Sequence, residues 1–188
     1  MKKVLLPLAS VALIALAGCS SSMDKKDAMG SDAMMMPFSG PDSVSYSQEL
    51  WSSLGAAKLV GDPASNPAAY KGVHPHGAVL TTKTSIVKVD GHSGKVIVKK
   101  NYGGEGVSVD TVNADPAKYL KAVTVMYKRE TGYDADNQDW FWAKFKANGE
   151  LHTNDKGMQL AGRVAKGKPA GCIACHTAAP GGDYIYTN

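Results

Sequence analysis

The segment Cys172–His176 constrains this chain more than any other feature, because it reads Cys-Ile-Ala-Cys-His. Two cysteines three residues apart with a histidine directly after them form the pattern of a c-type haem attachment site. In such a site each thiol binds one haem vinyl group as a thioether, and the histidine ligates the iron. We therefore predict one covalent haem c per chain, bound through Cys172 and Cys175, with His176 as the metal ligand. The alternatives are a thioredoxin-like redox pair, which expects a βαβ context, and half of a zinc site, which needs a second ligand pair.

The first 18 residues predict export. Lys2 and Lys3 precede an apolar run over residues 4–17, which is too short to span a bilayer comfortably. Small residues then lead into Cys19, as in a bacterial lipoprotein signal, so residues 1–18 are interpreted as a lipoprotein signal peptide and Cys19 as the lipidation site. An ordinary signal peptide cut elsewhere is the alternative. Ser20 rather than an aspartate follows Cys19, which indicates the periplasmic side of the outer membrane.

Residues 19–42 are interpreted as a flexible membrane tether, because they combine small polar residues, charges and methionines without a sustained apolar period. Copper binding by the methionines is the alternative. Residues 43–188 then form one domain. Loss of residues 1–18 removes two of the 21 basic residues, and the remaining 19 exceed the 17 acidic ones by only two. Such a weak, unpatterned charge does not favour a nucleic-acid partner.

The hydrophobic pattern of this domain predicts the α+β class. A capped amphipathic helix is expected from Asp42 to Leu54, with Val44, Leu50, Trp51 and Leu54 inward. Period-two patterns rich in β-branched and aromatic residues predict strands. They cover residues 78–89, 95–100, 121–128 and 139–145, with a turn over 90–94, a short helix over 156–166 and a last strand over 183–187. Together these elements predict an antiparallel sheet with a few helices and a C-terminal haem motif.

Six segments in chain order resemble the cytochrome P460 family. They are residues 74–77 (HPHG), 96–102 (VIVKKNY), 123–128 (VTVMYK) with 132–133 (GY), 139–145 (DWFWAKF), 171–176 (GCIACH) and 183–187 (DYIYT). The resemblance implies a monohaem domain on a curved antiparallel sheet, with a five-coordinate iron that oxidises hydroxylamine or a related small nitrogen species. The related β-type cytochromes c-prime bind gases. The alternatives are therefore a protein that binds NO or CO, and an electron-transfer haem protein without catalysis.

The resemblance also implies roles for several residues around the haem. Lys99 matches a lysine that is bonded to the porphyrin edge in hydroxylamine-oxidising members, and Lys100 should face away from it. Leu80 lies near the position of their distal arginine, a departure that makes the pocket drier. His76 or His74 would then supply the missing polar group.

Two further choices follow from the expected chemistry. Glu105 or Asp110 is expected as the distal carboxylate that accepts protons, so the expected catalytic pair is His76 with Glu105. Met126 and Met158 are the candidates for a sixth iron ligand, which would close the open position. The expected partners are a small nitrogenous or diatomic ligand, a periplasmic redox protein and the membrane through the lipid on Cys19. A homodimer is left open.

Overall fold

The computed structural model describes residues 36–61 and 66–186, which form a six-stranded antiparallel sheet flanked by four short or medium helices. The helices are α1 (Pro41–Ala56), α2 (Val109–Ala114), α3 (Pro116–Tyr119) and α4 (Cys172–His176). The strands are β1 (Tyr70–Lys71), β2 (Val79–Val89), β3 (His92–Tyr102), β4 (Leu120–Lys128), β5 (Trp140–Phe145) and β6 (Ala161–Gly162). A 3-10 turn covers Ala135–Asn137. The α+β class is thereby confirmed. The expected signal peptide, Cys19 and tether residues 19–35 lie outside the described residues.

The strands follow one another across the sheet in chain order, β1 to β6, with every neighbouring pair antiparallel. The two longest strands, β2 and β3, are joined by the two-residue turn Asp90–Gly91. Both turn residues have positive φ, 46° and 79°. That is the requirement of the hairpin turn that matches the natural twist of the strands, and Asp-Gly is a preferred sequence for it. The sheet is thus an open meander in which β2 and β3 form a tight hairpin, whereas α2 and α3 lie in the connection between β3 and β4.

Alternation along the strands gives the sheet two different faces. One face carries a large apolar core against which α1 packs, including Val96 and Val98 of β3 and Phe141 and Phe145 of β5. The opposite face carries a second cluster, in which Ile97, Met126, Trp140 and Trp142 meet Ile173 of α4. The expected division of β5, with Trp140 and Trp142 on one face and the phenylalanines on the other, is confirmed. Sheet parity therefore separates the structural core from the face that holds the Cys-x-x-Cys-His segment.

Helix α1 confirms the expectation for residues 42–54, with one difference at its start. Leu50 and Leu54 are fully buried against the sheet, and Val44 and Trp51 pack on the same core. Asp42 is in the first turn, where its charge complements the helix dipole, whereas the N-cap is Gly40 without a capping side chain. No helix among the residues that the structure describes is long and apolar enough to cross a membrane.

The folded domain begins earlier than the expected boundary at residue 42. Residues 37–39 form hydrogen bonds with the chain around β6, including Arg163 N to Pro37 O at 2.7 Å and Ser39 N to Ala161 O at 2.8 Å. Phe38 forms an isolated bridge with Gly162. The domain therefore includes residues 37–39, which lie before the boundary expected at residue 42.

Two C-terminal elements of the sequence prediction are wrong. Residues 156–166 are not a helix, because β6 pairs there with Trp142 and Ala143 and Gly162 has a φ of 112° that a helix does not allow. Residues 183–186 are not a strand. Tyr184 has a φ of 66°, and the carbonyls of Asp183 and Tyr184 bind side chains instead of a neighbouring strand.

Substitution Leu50→Ala tests the packing of α1 on the sheet. Truncation of a fully buried leucine loses the favourable burial of its apolar surface and leaves a cavity. The free energy of unfolding should therefore fall by about 2–5 kcal/mol. Gln48→Ala, at an exposed position of the same helix, should stay within about 0.5 kcal/mol of the parent. Urea unfolding followed by circular dichroism measures both. Equal losses in the two variants would contradict this packing.

Candidate functional site

Helix α4 places the two cysteines and the histidine of the Cys-x-x-Cys-His motif side by side. Positions i, i+3 and i+4 of a helix share one face, so Cys172, Cys175 and His176 point in similar directions from a single turn. The helix starts after Gly171, whose φ of 123° and ψ of −171° lie in a region open essentially to glycine alone. A Cβ on Gly171 would also come within 2.4 Å of the Ala165 side chain. Gly171 is thus required for the approach of the motif to the sheet.

His176 is prepared as a metal ligand. The residue is 8% exposed, and its Nδ1 lies 2.6 Å from the Tyr184 carbonyl oxygen. A carbonyl only accepts, so Nδ1 carries the proton and Nε2 keeps its lone pair. Burial lowers the pKa of His176, which favours the neutral imidazole. The ring also packs edge-on against Trp142, with centroids 4.8 Å apart. A backbone carbonyl on the far nitrogen is the usual way in which a ligating histidine is oriented.

Two cavities meet at His176. The larger, of about 590 Å³, extends over Cys175 toward the loop between β1 and β2, and the smaller, of about 40 Å³, lies on the Cys172 side. The larger is lined by Tyr70, Lys71, Val73, His74, Pro75, His76, Leu80, Lys99, Cys175, His176 and Tyr186. Lys99, His176 and Tyr186 line both. The larger volume falls within the range of about 300–1,000 Å³ that is usual for pockets of small molecules and cofactors.

The residues around these cavities fit a haem. Trp142 Nε1 is buried without a hydrogen-bond partner in the part of the chain that the structure describes, and Trp142 lines the smaller cavity. A buried donor of this kind is available to a polar group of a bound cofactor. Burial raises the pKa of the Cys172 thiol to about 11, opposite to the lowered pKa of a thioredoxin-type cysteine. Within residues 36–61 and 66–186, no group of three His, Cys, Asp or Glu side chains is placed to hold a metal ion.

His76 lies across the cavity from His176, and the two ring centroids are 6.2 Å apart with planes at 87°. Its Nδ1 is 3.0 Å from Asn101 Oδ1. Burial, followed by the charge of Lys99, lowers the pKa of His76 to about 4, so the ring is neutral near pH 7. The loop approaches β3 closely at Gly77, where a Cβ would come within 2.4 Å of the Tyr102 carbonyl oxygen. His74, two residues earlier, is exposed.

The structure brings some of the other expected residues to this site. Lys99 and Leu80 line the larger cavity, and Leu80 is buried. Lys100 faces the opposite side of the sheet, where its Nζ donates to Asn66 Oδ1 at 2.6 Å. Lys99 and Lys100 therefore do not share a face, as the alternation of a strand requires.

The expected acids are not brought to the site. Glu105 and Asp110 are exposed in and after the turn that follows β3, and neither lines the two cavities. The reason is local: β3 ends at Tyr102, and Gly104 and Gly106, both with positive φ, carry the chain away. Among the described residues that line these cavities there is no carboxylate.

The two methionines that were candidates for a sixth ligand differ in whether they reach the site. Met126 of β4 is 7% exposed and lines the smaller cavity beside Trp142, as part of the apolar cluster on that face. Met158 lines neither cavity. It belongs to a turn in which its backbone N–H donates to Asn154 Oδ1 at 3.0 Å. Met158 is therefore not placed as a sixth ligand.

Comparison with known protein families matches residues 45–187 to the profile described as Cytochrome P460. The chain belongs to the cytochrome P460 family. This membership makes it a haem protein, in agreement with the motif on α4 and the cavity above it. Searches of curated proteins and of solved structures returned no match. The match confirms, over most of the chain, the resemblance to the cytochrome P460 family that the six segments indicated.

Sequence reasoning missed three parts of the site. The Tyr184 carbonyl that binds His176 is a backbone group, which carries no residue-type signal. Asn101 stood within a segment that resembled the family, but its bond to His76 depends on how the β1–β2 loop folds back. Trp142 was expected on this face of β5, yet only the position of α4 shows that it packs on His176.

Substitution Gly171→Ala tests the placement of the motif. Alanine would be strained by about 1–3 kcal/mol in this backbone region and would also clash with Ala165. We expect several-fold less covalent haem in the purified protein, measured by haem absorbance per chain. Gly167→Ala is the matched control, because Gly167 has a φ of 69° but open space around its Cα. Equal haem content in both variants would contradict the role of Gly171.

Proposed function

We propose that this chain carries one haem c, bound through Cys172 and Cys175 with His176 as the iron ligand, and oxidises hydroxylamine or a related small nitrogen species. The observation that supports the proposal most strongly is the convergence of His176, His76 and Lys99 on one cavity. The cavity adjoins Cys175, and the smaller cavity adjoins Cys172. When bound, haem supplies an iron that coordinates nitrogen and takes up electrons from it.

Oxidation of N–H or O–H bonds also releases protons, and the residues of the cavity suggest where they go. The Nε2 atom of His76 is unprotonated when Nδ1 donates to Asn101, and the lowered pKa keeps the ring neutral at pH 7, so this atom is free to accept a proton as a weak base. Tyr70, whose hydroxyl lies 2.5 Å from Thr82 Oγ1, lines the same cavity. In the proposed reaction, His76 and Tyr70 take the place of the expected carboxylate. The electrons leave to an external acceptor, for which we propose a periplasmic redox protein.

Lys99 is the residue that supports hydroxylamine as the proposed substrate. It corresponds by family resemblance to the lysine that is bonded to the porphyrin edge in hydroxylamine-oxidising members. Its side chain lines both cavities, on the sheet face that α4 covers. We propose this cross-link here as well.

Gas binding is the second candidate function. Leu80 is buried and lines the larger cavity, at the position where hydroxylamine-oxidising members are expected to carry an arginine. An apolar side chain at this point favours uncharged diatomic ligands such as NO or CO, because pocket polarity decides between binding and activation. The absence of a lining carboxylate among the described residues points the same way.

We further propose that the protein is exported, loses residues 1–18 and is held by a lipid on Cys19 at the periplasmic side of the outer membrane. The basic start, the apolar run and the small residues before Cys19 support this. Covalent haem attachment outside the cytoplasm agrees with export.

Substitution Lys99→Ala distinguishes the two candidate functions. The proposal expects a red-shifted Soret band in the reduced parent protein and its return to an ordinary c-type position in the variant, since the cross-link is lost. Hydroxylamine oxidation with an artificial electron acceptor should fall at least tenfold. Lys95→Ala is the control, because Lys95 is on the same strand but exposed and outside both cavities.

An ordinary Soret band in the parent that Lys99→Ala leaves unchanged would contradict the cross-link. If the parent then bound NO or CO without oxidising hydroxylamine, gas binding would replace oxidation as the function.

A further inference from the structure

We infer that His76 binds the haem iron through Nε2 on the side opposite His176, as a sixth ligand that substrates must displace. The inference rests on the proposed haem attachment, and it departs from the five-coordinate iron that the family resemblance implies. It adds a means of controlling access to the same site.

The first support is the side-chain amide of Asn101, which fixes the tautomer of His76. Asn101 Nδ2 donates to the Lys99 carbonyl at 2.8 Å and lies 3.3 Å from the Ala122 carbonyl. Carbonyl oxygens only accept, so the amide nitrogen must face them and Oδ1 must face His76. Nδ1 of His76 therefore donates to Oδ1 at 3.0 Å, and the lone pair resides on Nε2. Thr124 Oγ1, at 3.5 Å from Nδ1, lies on the same side of the ring.

The second support is that His176 has the same arrangement. Its Nδ1 donates to the Tyr184 carbonyl, which leaves Nε2 as the ligating atom. Both histidines thus have Nδ1 held by a protein acceptor and Nε2 available. Two such rings on one cavity are a pair of neutral imidazole ligands, which suit iron.

The third support is the spacing of the rings. Their centroids are 6.2 Å apart. Two imidazoles that bind one metal from opposite sides place their centres roughly 6 Å apart, because each metal–nitrogen bond is about 2 Å long. The observed spacing therefore matches a metal held between the rings. A direct hydrogen bond between the two histidines would need a donor, and neither Nε2 carries a proton.

The loop that bears His76 is held in place. Gly72 N donates to the Ala78 carbonyl at 2.8 Å, and His76 N donates to the Val73 carbonyl at 3.0 Å. A Cβ on Gly72 would come within 1.8 Å of the Gly77 carbonyl oxygen, and Gly77 itself packs on the β3 backbone. The imidazole is thus brought to the cavity by backbone contacts rather than by a free loop.

Displacement gives His76 two successive uses. While Nε2 is bound to iron, an incoming ligand has no position to occupy. Once a substrate takes that position, the same lone pair is beside it and can accept a proton. Because His76 must leave the iron first, the apparent affinity of every added ligand is its intrinsic affinity multiplied by the fraction of molecules in which the position is open.

The test is the absorption and electron paramagnetic resonance spectrum of the full haem-loaded protein without added ligand. We expect a low-spin iron in the parent and in His74→Ala, and a high-spin iron in His76→Ala. Added imidazole should restore the low-spin spectrum of His76→Ala, which shows that this variant is folded and holds haem. The apparent affinity of the ferric iron for cyanide should rise at least tenfold in His76→Ala.

A high-spin parent, or a low-spin spectrum that survives in His76→Ala, would overturn the inference. Hydroxylamine turnover is measured in the same preparations. If the spectra behave as expected and turnover is absent, the ligand assignment is supported and the proposed oxidation fails. If turnover is present with a high-spin parent, the oxidation is supported and the ligand assignment fails.

Discussion

The site depends on the contact between one turn of helix and one face of the sheet. In α4 the spacing of Cys172, Cys175 and His176 puts all three on a common side, and Trp142 of β5 packs against the histidine ring at 4.8 Å. The Tyr184 carbonyl fixes the other edge of the same ring. Without these two contacts the imidazole would have neither a defined tautomer nor a defined direction. The sheet therefore orients the Cys-x-x-Cys-His motif on one face, and α1 packs on the opposite face.

The alternation of side chains along each strand explains how one sheet carries the apolar core on one face and the candidate site on the other. Along β3, Val96 and Val98 enter the core beneath α1, while Ile97 and Lys99 face the haem motif. A shift of one residue in register would exchange these sets, so the buried core fixes the position of the functional side chains. Asn101 extends the same row by two residues and reaches His76. The polar groups of the cavity are thus selected by the register that the apolar core enforces.

Much of this arrangement was predictable from the sequence, because strong periodicity reports on packing. The strands β2 to β5 and the division of residues in β5 followed from the hydrophobic pattern, and the family resemblance followed from six short segments. The helix expected over residues 156–166 and the strand expected over the described residues 183–186 did not form. Gly162 and Tyr184 adopt positive φ, and the backbone carbonyls of residues 183–184 bind Trp140 and His176. The position of Glu105 was also missed, since the direction of the chain after β3 depends on glycine conformations that no pattern records.

We propose that this cytochrome P460 family member holds its haem covalently through the cysteines of α4. Intact mass spectrometry of the denatured protein, produced in a host that attaches haem c, is the decisive measurement. Covalent attachment predicts the mass of the chain plus one haem, retained after denaturation. Loss of one thioether is expected in each of Cys172→Ser and Cys175→Ser, read from the absorption maximum of the alkaline pyridine complex. A polypeptide mass without haem, with haem released on denaturation, would contradict it.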